Sequence, residues 1–155
     1  MVLLCDTREQ DPIVFPPHPW VDRIERTTLQ VGDYQARFRD GTIPPVSFER
    51  KSLGDLFGTM TGGYKRFKEE VRRARDLQTC LKIIVEAPLA AVWQGTRYSE
   101  FPGPSMVQKC FTLMVRHRIQ VIFCADRREM ARYMLEYFLS IGREYALQHR
   151  STGRA

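Results

Sequence analysis

Apolar and polar positions along the chain sort into short runs first and longer amphipathic stretches later. Val2-Leu3-Leu4-Cys5 is a continuous apolar run that ends in Asp6-Thr7-Arg8-Glu9. Such a run predicts a buried strand whose C-terminal end delivers polar groups. Residues 11–20 hold Pro12, Pro16, Pro17 and Pro19, which fix φ and remove donors, so this segment is expected to be irregular. Residues 25–29 suit a second strand. Residues 31–38 suit a third, with partial alternation. Arg39-Asp40-Gly41 is a turn signal, and residues 46–51 form the returning arm of a hairpin.

From there the period lengthens. Ser52 is placed to cap a short helix through Met60, which Thr61-Gly62-Gly63 breaks. Tyr64, Phe67, Val71, Ala74 and Leu77 recur at helical spacing and predict a helix over 64–77. Cys80 to Glu86 reads as a strand. Residues 88–104 read as a long connection with room for a short helix. A helix is expected over 105–118, a strand over 120–125, and a last helix whose stripe is Met130, Met134, Tyr137, Ile141 and Tyr145. Asp126 and Glu129 match a capping box with Asp in place of Ser or Thr. Tyr133 and Phe138 are a candidate second apolar side. Strands alternating with helices predict parallel pairing, and the early hairpin predicts an antiparallel part. The expected fold is α/β, with a mixed central sheet flanked by helices, in one domain over 1–150 and a frayed tail over 151–155.

Composition adds a partner class. The chain has 155 residues, 43% of them hydrophobic and 27% charged, which suits one globular domain and not wholesale disorder. Lys and Arg number 24 against 18 acids, for a net charge of +6 and a pI near 9.4. That balance favours a polyanion, with nucleic acid ahead of an acidic membrane surface. Cys5, Cys80, Cys110 and Cys124 show no CxxC or zinc spacing, so reduced, buried thiols are expected. No apolar run reaches membrane length, and Asp6 arrives too early for a signal peptide. A soluble, intracellular protein is expected.

The candidate chemistry lies in Phe48-Glu49-Arg50-Lys51-Ser52-Leu53-Gly54-Asp55. Residues i and i+2 of a strand share a face, so Glu49 and Lys51 emerge side by side. Asp33, on the other hairpin arm, adds a second carboxylate. Magnesium takes a few carboxylates and completes its octahedron with water and substrate phosphate. An adjacent ammonium can orient the attacking water or offset developing charge. The backbone carbonyl of Arg50 is a further donor within reach.

Gly32-Asp33, Glu49-Arg50-Lys51 and Asp55 together resemble the GD…ERKxxxD signature of XPF-type structure-specific endonucleases. Asp6-x-Arg8-Glu9 and the helix with Tyr64 and Phe67 are similar to that family's flanking blocks. The resemblance covers Leu3 to about Tyr145. It implies a restriction-endonuclease-like three-layer core and Mg2+- or Mn2+-dependent cutting of branched, flap or junction DNA in repair, recombination or replication. Carried onto this chain, Asp33 and Glu49 are the metal ligands, Lys51 the catalytic lysine, and Asp55, Asp6 and Arg8 supporting active-site residues. Family members usually act as dimers, here expected through the C-terminal helices. Cellular repair members usually append helix-hairpin-helix modules; a compact version without them is expected here. The opening Asp6-Thr7-Arg8-Glu9-Gln10-x-Pro12 is similar to compact prokaryotic and phage versions, which implies a cytoplasmic, nucleoid-associated setting.

Each assignment has a plainer alternative. Glu49 and Lys51 can be an edge-strand salt bridge, Asp55 a helix anchor, and Asp6 with Arg8 a structural ion pair. Arg50, Lys65, Arg66 and Arg72 are candidate DNA contacts, since phosphate contacts dominate nucleic-acid affinity; Glu69, Glu70 and Asp76 interrupt the basic helix face. The alternative function is a non-catalytic DNA-binding or scaffold subunit of the same fold.

Overall fold

The structure is a computed structural model that describes residues 1–152. Its strands are β1 (Val2–Asp6), β2 (Arg23–Thr27), β3 (Tyr34–Arg37), β4 (Val46–Ser52), β5 (Cys80–Glu86) and β6 (Gln120–Phe123). Its helices are α1 (Leu53–Met60), α2 (Tyr64–Asp76), α3 (Leu89–Gln94), α4 (Gly103–His117) and α5 (Arg127–Thr152). The strands form one sheet in the order β2-β1-β3-β4-β5-β6. β3 is antiparallel to both β1 and β4, while β4, β5 and β6 run parallel. The expected mixed α/β architecture is therefore present. The frayed-tail reading falls in part on residues 153–155, which lie outside the described residues; α5 itself runs to Thr152.

Two apolar layers sandwich the sheet. On one side α5 lays Met130, Met134, Phe138 and Leu139 against Leu3, Tyr34, Phe48 and Ile84. On the other, α1, α2, α3 and α4 cover Ile83, Val85 and Val121 with Leu56, Phe67, Val92 and Met106. Phe48 is the aromatic hub of the first layer. Its ring meets those of Tyr137 and Phe138 edge-on, each at 5.4 Å. Ser52 caps α1 through a hydrogen bond that its hydroxyl accepts from Asp55 N–H at 3.1 Å. Asp126 Oδ1 caps α5 by accepting from the N–H groups of Arg128 and Glu129. Glu129 reaches back to the N–H of Ala125, one residue before the cap.

Several expectations change. The third strand starts at Tyr34 and not at Val31, because Gly32 takes a left-handed turn at φ +68°. A Cβ there would stand 2.2 Å from Ser47 Oγ, so the turn admits only glycine. β2 pairs with β1 in parallel although no helix joins them. The proline-rich segment makes the crossing by burying Ile13 and Phe15 beside Tyr34, whose hydroxyl accepts from Ile13 N–H at 2.8 Å. Cys80 is exposed at the start of β5, unlike Cys5, Cys110 and Cys124. Phe138 is fully buried, so it forms no second apolar side with Tyr133; at five residues from Tyr133 the helix has turned it onto the sheet.

Phe138→Ala removes one of these central rings and should lower unfolding free energy by about 3–5 kcal/mol; denaturant titration checks it, with an unchanged m-value expected.

Candidate active site

The side-chain alternation of β4 divides its residues between the two layers. Phe48 and Arg50 pair with Lys82 and Ile84 and face α5, whereas Glu49 and Lys51 pair with Ile83 and Val85 and face α1 and α2. Pairing of β3 with β4 is registered at Tyr34 opposite Phe48. The pairing ends there, and Asp33, just before β3, lies beside β4 through its own hydrogen bonds. Asp33 N–H donates to Phe48 O at 2.7 Å, and Asp33 Oδ2 accepts from Arg50 N–H at 2.8 Å. The N–H and C=O of a strand residue leave the same edge. The Arg50 carbonyl thus faces the same gap as the Asp33 carboxylate.

Lys51 Nζ donates to Glu49 Oε1. Glu49 is only 7% exposed. Lys51 opens onto a cleft of about 580 Å³ lined also by Arg8, Asp55, Arg66, Glu70 and Arg73. Asp33, Glu49 and Lys51 are therefore brought together, and Arg8 and Arg66 join them at the cleft. Asp55 stands at its rim, where its carboxylate accepts from Ser52 Oγ at 2.6 Å, so it also anchors α1. Asp6 is fully buried. It accepts from Arg8 N–H and Arg8 Nε at 2.7 Å each, from an Arg8 terminal nitrogen at 3.0 Å, and from Leu29 N–H at 2.7 Å. Asp6 holds Arg8 from behind.

Three basic candidates lie elsewhere. Arg50 turns to the α5 side and pairs with Glu86 at 2.6 Å and Glu9 at 3.6 Å. Arg72 lines a separate groove with Tyr64, Leu113 and His117. Lys65 is exposed and lines neither. Glu70 and Arg73 were not among the candidates. Arg66, Glu70 and Arg73 stand at i, i+4 and i+7, one stripe of α2 beside its buried Phe67 and Ala74. That spacing was the available signal.

The electrostatics separate the acids. Burial, followed by repulsion from Glu9 and Glu70, pushes Asp33 up to about 6 despite the hydrogen bond from Arg50 N–H. Burial and then the Asp33 carboxylate push Glu49 up to about 8 against the pull of Lys51. Burial works against the Lys51 charge, yet Glu49, Asp33 and Glu70 together raise its pKa. Asp6 is also desolvated, but its hydrogen bonds from Arg8 and Leu29 hold it below the usual carboxylate range. Asp33 and Glu49 each use one oxygen within the protein and have Lys51 as a shared cation, one positive charge beside two carboxylates. Hard oxygen donors around a cation-deficient pair fit a small divalent ion. Among the described residues no three His, Cys, Asp or Glu side chains gather at one point, so side chains supply this pair and the remaining positions fall to backbone, water or phosphate.

The profile of the ERCC4 domain family matches residues 6–137. The chain is also similar to solved structures. One is XPF from Aeropyrum pernix, at a TM-score of 0.66 and 20% identity, covering 92% of this chain and 61% of that one. Another is XPF from Aeropyrum pernix in complex with DNA, at 0.65 and 21% identity, covering 92% of this chain and 65% of that one. At that identity the likeness speaks to the fold, and this chain spans under two thirds of either length. No curated protein matches the sequence.

An acid that binds its proton more tightly when folded favours folding below its ordinary pKa and loses that advantage as pH rises through the folded value. For Asp33 and Glu49 the loss runs from about pH 4 to about pH 8. Glu49→Gln should therefore unfold at higher denaturant than the parent near pH 8, with the gap shrinking towards about pH 5. Paired denaturant titrations at the two pH values check this.

Proposed function

The chain belongs to the ERCC4 domain family, and from that membership we infer that it is a divalent-metal-dependent endonuclease acting on branched, flap or junction DNA. One observation carries the reading. Asp33, Glu49 and Lys51 converge where a cleft lined by Arg8, Arg66 and Arg73 begins. The structure in complex with DNA is of an archaeal XPF with the same fold, which supports DNA as the polyanion that this basic chain meets.

In this reading Asp33 and Glu49, with the Arg50 carbonyl, hold Mg2+ or Mn2+. The bound ion supplies Lewis-acid polarisation of the scissile phosphate. Arg66 and Arg73 receive the phosphates of the strand, and Arg8, held by Asp6, adds a guanidinium to the lining of the same cleft. Lys51 Nζ orients the attacking water and offsets negative charge as the in-line displacement proceeds. Cleavage leaves a 5′-phosphate. Asp55 fixes the start of α1 beside Lys51 and keeps that wall of the cleft in place.

The family reading also brings a homodimer. An apolar groove of about 660 Å³ beside the C-terminal half of α5, lined by Met1, Trp20, Phe38, Gly142, Tyr145 and Ala146, supports a second copy there. No described helix is long and apolar enough to cross a membrane.

Purified protein should cut flap, fork or four-way-junction DNA only when Mg2+ or Mn2+ is present. Lys51→Ala should slow cutting about a hundredfold or more. Calorimetry should show Mn2+ binding that Asp33→Ala abolishes. Folded protein that cuts none of these substrates, or a Lys51→Ala variant as active as the parent, would refute the enzyme and favour a scaffold subunit. Light scattering should give twice the 18.1 kDa chain mass, and Gly142→Arg in the groove should halve it.

A further inference from the structure

Helix α2 sends one carboxylate into the cleft that lies outside the GD and ERKxxxD motifs. Glu70 Oε1 accepts a hydrogen bond from the backbone N–H of Gly32 at 3.0 Å. That amide belongs to the left-handed turn at φ +68°. Any side chain at Gly32 would meet Ser47 Oγ at 2.2 Å and Phe48 O at 2.8 Å, so only glycine fits this turn. Ser47 Oγ secures its near side by donating to Val31 O at 2.6 Å. Glu70 secures the N–H that faces out of the sheet. The next residue is Asp33, and the direction of its carboxylate follows from how that turn is held.

Glu70 also shares its helical stripe and its cleft with Arg66 and Arg73. The side chain that tethers the Asp33 turn thus comes from the helix whose arginines face the same space. Resting on the nuclease reading of this cleft, we propose that Glu70 is a positioning residue: through Gly32 N–H it holds the Asp33 carboxylate ready for the divalent ion, and it ties that carboxylate to the helix that receives the DNA backbone. Groups that orient metal ligands without touching the metal characteristically change metal affinity about 10–100-fold when removed.

Two substitutions separate this role from a plain charge effect. Glu70→Gln keeps an oxygen acceptor at the same reach and loses the charge. Glu70→Asp keeps the charge and withdraws the acceptor by one methylene, too far to hold a 3.0 Å bond. Mn2+ titration calorimetry on the full chain without DNA should show affinity about tenfold or more weaker for Glu70→Asp, with Glu70→Gln within about threefold of the parent. Single-turnover cutting should fall for Glu70→Asp at low Mn2+ and recover as Mn2+ is raised, with DNA affinity unchanged. Both variants equal to the parent, both equally weakened, or Gln weaker than Asp would each overturn the inference. Asp33→Ala serves as the control. If it binds Mn2+ like the parent, the ion-site reading itself falls; if it loses Mn2+ while Glu70→Asp keeps it, only the role of Glu70 falls.

Discussion

The site depends on an unequal pairing of one strand. β4 is matched to β5 along its whole length, through Ser52 opposite Glu86, but its ladder with β3 ends at Tyr34 opposite Phe48. Beyond Phe48 one edge of β4 is open inside a protein. Open backbone edges in buried surroundings need partners, and the Asp33 side chain supplies one by accepting from Arg50 N–H. The carboxylate takes the place that a strand carbonyl would have had. The Gly32 turn that precedes β3 is therefore the step that converts a sheet edge into a polar site, and the close approach to Ser47 and Phe48 explains why that step uses glycine.

Burial then acts differently on two groups of acids. Asp6 is fully buried and Glu49 nearly so. Asp6 lies within four hydrogen bonds donated by Arg8 and Leu29, and its charge is favoured. Glu49 has Lys51 as a partner but also faces Asp33 and Glu70, and its charge is disfavoured. A structural acid is one whose surroundings complete it. Asp33 and Glu49 share the single cation Lys51, in a place that opens to solvent through that lysine. That imbalance reduces stability near neutral pH, and a retained imbalance of this kind is characteristic of functional sites.

Most of this was legible in the sequence wherever the signal was local. The strand over residues 80–86 and the Ser52 cap depend on near neighbours, and both match the structure. The alternation of β4 was enough to put Glu49 and Lys51 on one face. Other features depend on what lies across space. The Arg50 side chain reads as a DNA contact until Glu86 and Glu9 are seen on the α5 side. Phe138 reads as a second helix face until the sheet it packs on is present. Glu70 reads as an interruption in a basic stripe, and only the three-dimensional turn at Gly32 shows what it holds. β2 was visible as a strand, but nothing in its own residues specifies a parallel partner reached without a helix.

The charge pattern of the cleft joins these threads. A net charge of +6 attracts any polyanion over a long range and selects none. Selection begins where cations and acids alternate at close range. Along the stripe of α2, Arg66 and Arg73 flank Glu70, so a phosphate drawn to either arginine arrives beside a carboxylate. That carboxylate repels a phosphate, while Gly32 N–H holds one of its oxygens towards the Asp33 turn. Glu49 is held instead by an ion pair with Lys51. Arg66 and Arg73 thus set a positive field along α2 and the pair Asp33 and Glu49 a negative one close by; in the proposed nuclease reading the first meets a phosphate backbone and the second a cation. One small cleft thus presents two opposite fields at neighbouring points, which is the arrangement that holding a phosphate against a metal ion requires.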